Sequence, residues 1–130
     1  QYLLAVDRNN ARVADLYSSY HPAVLRAVRY VVNEVHRVGK TVSICGEMAG
    51  DPGTAILLMA MGFDSLSMSA SNLLKVRKTI CHVPMERAKV LLERVLAYDK
   101  ASDIRAEVED ELTDLGLIDL VRPQNNARNA

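Results

Sequence analysis

Thr41-Val42-Ser43-Ile44-Cys45-Gly46-Glu47-Met48-Ala49-Gly50-Asp51-Pro52-Gly53 is the stretch on which the fold turns. Its first five residues are rich in β-branched side chains and read as a strand. Gly46 to Gly50 reads as a loop. Asp51 supplies an N-cap and Pro52 a first-turn proline for the helix that follows. This strand-loop-helix unit recurs once. The apolar helix from Ala55 to Met61 stops at Gly62, Phe63 to Met68 reads as a second strand, and a helix follows from Ser71 to about Cys81.

Upstream, Pro22 opens a helix on which Val24, Leu25, Val28, Val31, Val32, Val35 and Val38 recur at helical spacing. Gly39 then stands where a left-handed cap is expected. Downstream, Pro84 starts a helix with Met85, Ala88, Leu91, Leu92 and Val95 on one face. Ile104, Val108, Leu112 and Leu115 mark a last amphipathic helix closed by Gly116. Strand-helix alternation argues for an α/β fold with parallel strands, each returned through a helix. Two parallel strands cannot by themselves form a sheet buried on both faces. Their neighbours must come from sequence outside this chain, from another chain, or from a strand near Gln1 to Val6. The expectation is the tail of a larger α/β barrel: residues 1–115 as a barrel segment, 116–130 as a loose tail.

The chain has 130 residues, nearly half of them hydrophobic, with Lys plus Arg equal to Asp plus Glu at 16 each. That balance leaves no electrostatic footprint for nucleic acid or an anionic membrane. No apolar run approaches the roughly 20 residues of a spanning helix. The two cysteines, Cys45 and Cys81, form no CxxC pair, which fits reduced thiols in a cytoplasmic protein.

The Cys45–Gly53 loop follows the C-terminal end of a strand, the end that carries the active site in parallel α/β folds. A glycine-rich loop before a helix can bind an anion through backbone N–H groups. It is no P-loop, since Gly-Lys-Ser/Thr is absent, and a structural turn fits the spacing equally well. Cys45 has two readings as well, a small hydrophobe at a strand end or a reactive group. Glu47 disfavours a charged sulfur, which suits a protonated thiol acting as a general acid and argues against a thiol redox protein. Arg8 and Arg12 in Asp7-Arg8-Asn9-Asn10-Ala11-Arg12 would share a face on a helix and suit a phosphate or carboxylate; a solvated charged turn is the plainer reading. His21, His36 and His82 have no metal-site spacing with either cysteine. Ser67, Ser69 and Ser71 suit helix capping better than a site.

Taken together these stretches resemble one family. Gln1-Tyr2 and Ala5-Val6-Asp7-Arg8-Asn9-Asn10-Ala11-Arg12-Val13 look like the segment after the Gly-Thr-Asn-Asp-Leu motif of phosphoenolpyruvate-protein phosphotransferases (enzyme I of the phosphotransferase system). Cys45-Gly46-Glu47-Met48-Ala49-Gly50-Asp51 is similar to that family's active-site cysteine loop, and Ser67-Met68-Ser69-Ala70 to its final-strand region. The likeness runs from Gln1 to about Glu111, and the Asp-Arg-Asn-Asn wording looks most like the nitrogen-related paralogue. Pyruvate phosphate dikinases, the alternative among related enzymes, usually carry His-Gly in place of Met48-Ala49.

The resemblance implies a TIM (β/α)8 barrel, of which this chain would supply the last two strand-helix units plus terminal helices. It implies phosphate transfer from phosphoenolpyruvate to a histidine in a separate N-terminal domain, then to an HPr-like phosphocarrier protein, with release of pyruvate. Arg8 matches an arginine that binds the substrate phosphate. Cys45 matches the proton donor to the methylene carbon. Magnesium is the implied cofactor, its ligands lying upstream of Gln1. Glu47 is expected to hold the loop through backbone N–H groups rather than to bind metal. A homodimer is expected, and the isolated chain is expected to be inactive. The rival reading is a non-enzymatic dimerisation or interaction module, since unpaired strand edges invite association.

Overall fold

Helix α1 (Pro22–Arg37) begins where proline is best tolerated, and His21 caps it by accepting the Ala23 N–H through Nδ1 at 3.2 Å. The structure, a computed structural model, describes residues 1–121. The valine stripe of α1 is wider than what it covers. Leu25 and Val32 are fully buried, whereas Val31 and Val38 stay about half exposed.

The chain then enters β1 (Ser43–Cys45), the helical turn α2 (Glu47–Gly50) and helix α3 (Pro52–Met61), and returns as β2 (Ser65–Ser67). The two strands pair in parallel, Ser43 with Ser65, Ile44 with Leu66 and Cys45 with Ser67. Both are shorter than their β-rich runs, because each has a single partner and the ladder ends where that partner does. The stretch expected as a loop, 46–50, is a helical turn closed by the Gly50 N–H on the Gly46 carbonyl at 3.1 Å.

Helix α3 is apolar on all sides and is the central element. Ala55, Ile56, Leu57 and Leu58 are fully buried, and α4 (Ala70–His82), α5 (Met85–Leu96) and α6 (Ala101–Asp114) pack around it. Helix α5 faces it with Ala88, Leu91, Leu92 and Val95, and α6 with Ile104, Val108 and Leu112. Each of these leucine, isoleucine and valine side chains contributes about 1.5–3 kcal/mol by burial. Gly62 (φ +97°) and Gly116 (φ +69°) take the left-handed conformations expected after α3 and α6.

Residues 1–6 fold as turns rather than as a third strand, with the Val6 N–H on the Gln1 carbonyl at 3.1 Å. Among the described residues the sheet therefore has two strands, within a mostly helical α/β chain. Packing does not stop at residue 115. Leu117 is buried in the core, ahead of a 3-10 turn at Ile118–Leu120. Residues 122–130, the rest of the expected tail, lie outside the described residues. No helix among the described residues is long and apolar enough to cross a membrane.

Candidate active site

Because β1 and β2 run in parallel, their C-terminal ends open on the same side, and three sequence segments meet there. Cys45 ends β1 opposite Ser67, and the Gly46 N–H donates to the Ser67 carbonyl at 3.1 Å, one step beyond the ladder. Gly46 takes φ +103° and ψ −157°, a region essentially confined to glycine. That conformation turns the chain out of the strand directly after the cysteine. Cys45 is exposed rather than buried as a small hydrophobe.

The third segment is the Arg8 cluster. Residues 7–13 form turns, not a helix, so Arg8 and Arg12 share no helical face. Asp7 and Asn10 accept the backbone N–H groups of Asn9 and Arg12 at 2.9 and 3.1 Å, and the Arg8 N–H donates to Gln1 Oε1 at 3.0 Å. Arg8 reaches the cysteine loop, with Nη1 3.8 Å from Glu47 Oε1. Glu47 thus faces an arginine side chain, in contrast to the expected role of bonding loop N–H groups. Among the described residues Arg12 makes no ion pair.

The loop is held from behind. Asp51 Oδ1 accepts the Thr54 N–H at 2.7 Å, capping α3, and also accepts the Tyr20 hydroxyl at 2.7 Å. Thr54 Oγ1 donates to the Met48 carbonyl, tying the first turn of α3 to the cysteine loop. Tyr20 is almost fully buried, and burial, together with the Asp51 carboxylate beside it, pushes its phenol well above the usual value. It therefore stays protonated as a donor. The Arg105 guanidinium lies 4.8 Å from its ring centre. A Cβ at Gly53 would collide with the Tyr20 hydroxyl, so the close approach requires glycine.

The other candidates serve structure. His36 Nε2 pairs with Asp64 Oδ2 at 3.0 Å, and the same oxygen accepts the Val42 N–H at 2.7 Å, joining α1 to the entries of both strands. His82 Nδ1 contacts the Lys78 carbonyl within α4. Ser69 occupies the N-cap position of α4 but makes no side-chain cap bond; its hydroxyl pairs with that of Ser71 at 2.9 Å.

No group of three or more His, Cys, Asp and Glu among the described residues is arranged to hold a metal ion. Asp51 is committed to Tyr20 and Thr54, and Glu47 faces Arg8, so these residues do not fit a magnesium site. Tyr20 is the residue that spacing did not reveal. Its one sequence signal is its place directly before the His21-Pro22 helix start.

Residues 1–85 match the family model described as PEP-utilising enzyme, PEP-binding domain. The chain belongs to the PEP-utilising enzymes. Among relatives of this family, a protein of Salmonella typhimurium named phosphoenolpyruvate-dependent phosphotransferase system is 39% identical over 122 residues, covering 94% of this chain and 16% of that protein. A phosphoenolpyruvate-protein phosphotransferase of Geobacillus stearothermophilus is 44% identical over 104 residues, 80% of this chain and 18% of the relative. Its counterpart in Cupriavidus necator is 45% identical over 100 residues, 76% and 17%. The chain therefore spans less than a fifth of these relatives' length. Both the Arg8 segment and the Cys45 loop fall inside the PEP-binding match.

Proposed function

We propose that this chain forms one wall of the phosphoenolpyruvate site of a phosphoenolpyruvate-protein phosphotransferase, with Arg8 binding the phosphate and Cys45 donating the proton. The observation that carries this reading is the meeting of the Arg8 segment with the Cys45 loop at the C-terminal ends of two parallel strands. In the reaction, a protein histidine outside this chain attacks phosphorus, an N–P bond forms, and the bridging P–O bond breaks. The electron pair of that bond leaves with the enolate of pyruvate. The Cys45 S–H proton goes to the enolate's methylene carbon, leaving a thiolate that solvent reprotonates. Arg8 presents a planar fork suited to two phosphate oxygens. The phosphoryl group then passes to an HPr-like carrier protein.

The two strands are read as the last two of a (β/α)8 barrel. Both outer edges support this. Leu3, Val28, Val31, Val42, Ile44 and Phe63 line an apolar groove at the open edge of β1. Met59, Leu66, Met68, Leu73, Val76 and Ile80 line another at the open edge of β2. A barrel removes such edges by closure. Magnesium would be held by residues upstream of Gln1, the whole enzyme would be a cytoplasmic homodimer, and the Asp7-Arg8-Asn9-Asn10 wording supports the nitrogen-related branch.

The test is protection of the thiol in the complete protein. Phosphoenolpyruvate should slow alkylation of Cys45 in proportion to site occupancy, and Arg8→Gln should weaken that protection. Alkylation of Cys45 at one rate with and without saturating phosphoenolpyruvate would contradict the reading.

A further inference from the structure

Tyr20 hydrogen-bonds to neither Arg8 nor Cys45, yet its hydroxyl makes a second junction, besides Arg8–Glu47, between the segments that carry them. It closes the run of turns that begins at Arg8, immediately before the His21 cap of α1. Its hydroxyl donates to Asp51, the residue that ends the Cys45 loop and caps α3. We infer that Tyr20 is a positioning residue for Cys45, its hydroxyl holding the cysteine loop in register with the arginine segment through Asp51.

Three features are built around that hydroxyl. Asp51 Oδ1 already has the Thr54 N–H, which is all that helix capping requires, so the second donor does a separate job. Gly53 leaves the room that any Cβ would fill. Arg105, from α6, sits over the ring and fixes its plane. If packing alone kept the ring, phenylalanine would serve as well. From Asp51 the path to the cysteine is short. Thr54 holds the Met48 carbonyl, and the turn closes from Gly50 to Gly46, next to Cys45. Without the phenol, Asp51 keeps its cap but loses its tie to the Arg8 segment. A proton donor displaced by a fraction of an ångström transfers its proton less often, while phosphate binding by Arg8 is untouched.

The inference rests on Cys45 as the proton donor, and four forms of the complete enzyme separate the two claims: wild type, Tyr20→Phe, Cys45→Ala and the double variant. Each is assayed for phosphoenolpyruvate-dependent transfer to the carrier protein, with rates taken per folded protein. Tyr20→Phe keeps the ring, its burial and the Arg105 contact. It should lower kcat by about ten- to a hundredfold, leave KM for phosphoenolpyruvate unchanged, and lower the rate no further when Cys45 is already alanine. If Tyr20→Phe does not fold, Asp51→Ser takes its place, since serine caps Thr54 but is too short to reach the phenol; the same pattern is expected. A Tyr20→Phe rate equal to wild type, while Cys45→Ala collapses, overturns the positioning role alone. A raised KM, or a further loss in the double variant, overturns it in favour of a general packing role. No loss in Cys45→Ala overturns the proton-donor reading and this inference with it.

Discussion

Arg8 Nη1 lies 3.8 Å from Glu47 Oε1, joining the turns that precede α1 to the turn that follows β1. Both side chains are more than half exposed, so the pair itself contributes only about 0–1 kcal/mol. Its meaning is positional: a guanidinium stands beside the cysteine loop without being consumed by a strong ion pair, as the proposed phosphate-binding role of Arg8 requires.

Arg8→Gln should therefore raise KM for phosphoenolpyruvate in the complete enzyme. Losing hydrogen bonds to a charged group costs about 1.5–3 kcal/mol, or roughly ten- to a hundredfold in apparent affinity. Arg8→Lys should fall between, because it keeps the charge and loses the fork. Steady-state kinetics over a phosphoenolpyruvate series checks both, and an unchanged KM in Arg8→Gln would remove Arg8 from the phosphate site.

Gly46→Ala is expected to destabilise the fold by about 1–3 kcal/mol through backbone strain. No atom lies within 4 Å of where the new Cβ would stand, so steric collision adds nothing. Denaturant midpoints compare it with Gly39→Ala, where φ is +68° in ordinary left-handed space. Gly46→Ala should be the costlier of the two, since its φ/ψ region is closed to alanine.

What the sequence disclosed and what it hid divide along one physical line. Asp51-Pro52, Gly62, Gly39 and Gly116 were legible because caps are local, each needing only residues a few positions apart. The Cys45 loop was legible because strand, turn and helix follow without interruption. Tyr20–Asp51 and Arg8–Glu47 were not, because they join residues far apart in the chain, and no periodicity encodes such a meeting. Ser69 shows the limit of local rules. It holds the right N-cap position, yet its hydroxyl pairs with Ser71. The strands are shorter than their β-rich runs for a related reason: β-propensity marks what fits a sheet, while a partner decides how far the ladder runs.

Glu111 should reveal an asymmetry between α5 and α6. Its carboxylate is nearly buried, meeting Arg87 Nε at 2.6 Å and Arg94 Nη2 at 3.2 Å. Glu111→Gln leaves two arginines that are about half exposed, Arg94 still paired with Glu107 at 2.6 Å and Arg87 beside Asp114 at 4.0 Å, at a cost of about 1–3 kcal/mol. Arg87→Ala with Arg94→Ala strands a buried carboxylate, for which about 3–5 kcal/mol is typical. Thermal unfolding of both variants should rank the arginine pair as the more damaging.

Asp64 sets a stability loss in acid. The hydrogen bond with His36, then that from the Val42 N–H, holds its carboxyl below the ordinary value. A depressed folded pKa means stability that is fully present above the unfolded value, about pH 4, and lost as pH falls through the folded one. Asp64→Asn should flatten the acid limb of the stability curve while leaving the neutral region lower. An acid limb unchanged by the substitution would assign the loss to other carboxylates.

The most direct test of the proton-donor assignment is phosphoenolpyruvate-dependent phosphoryl transfer by the complete protein, with Cys45 intact and as Cys45→Ala. Transfer should collapse with the thiol while phosphoenolpyruvate still binds. Transfer at the wild-type rate in Cys45→Ala would contradict it and leave Cys45 as a residue that merely ends a strand.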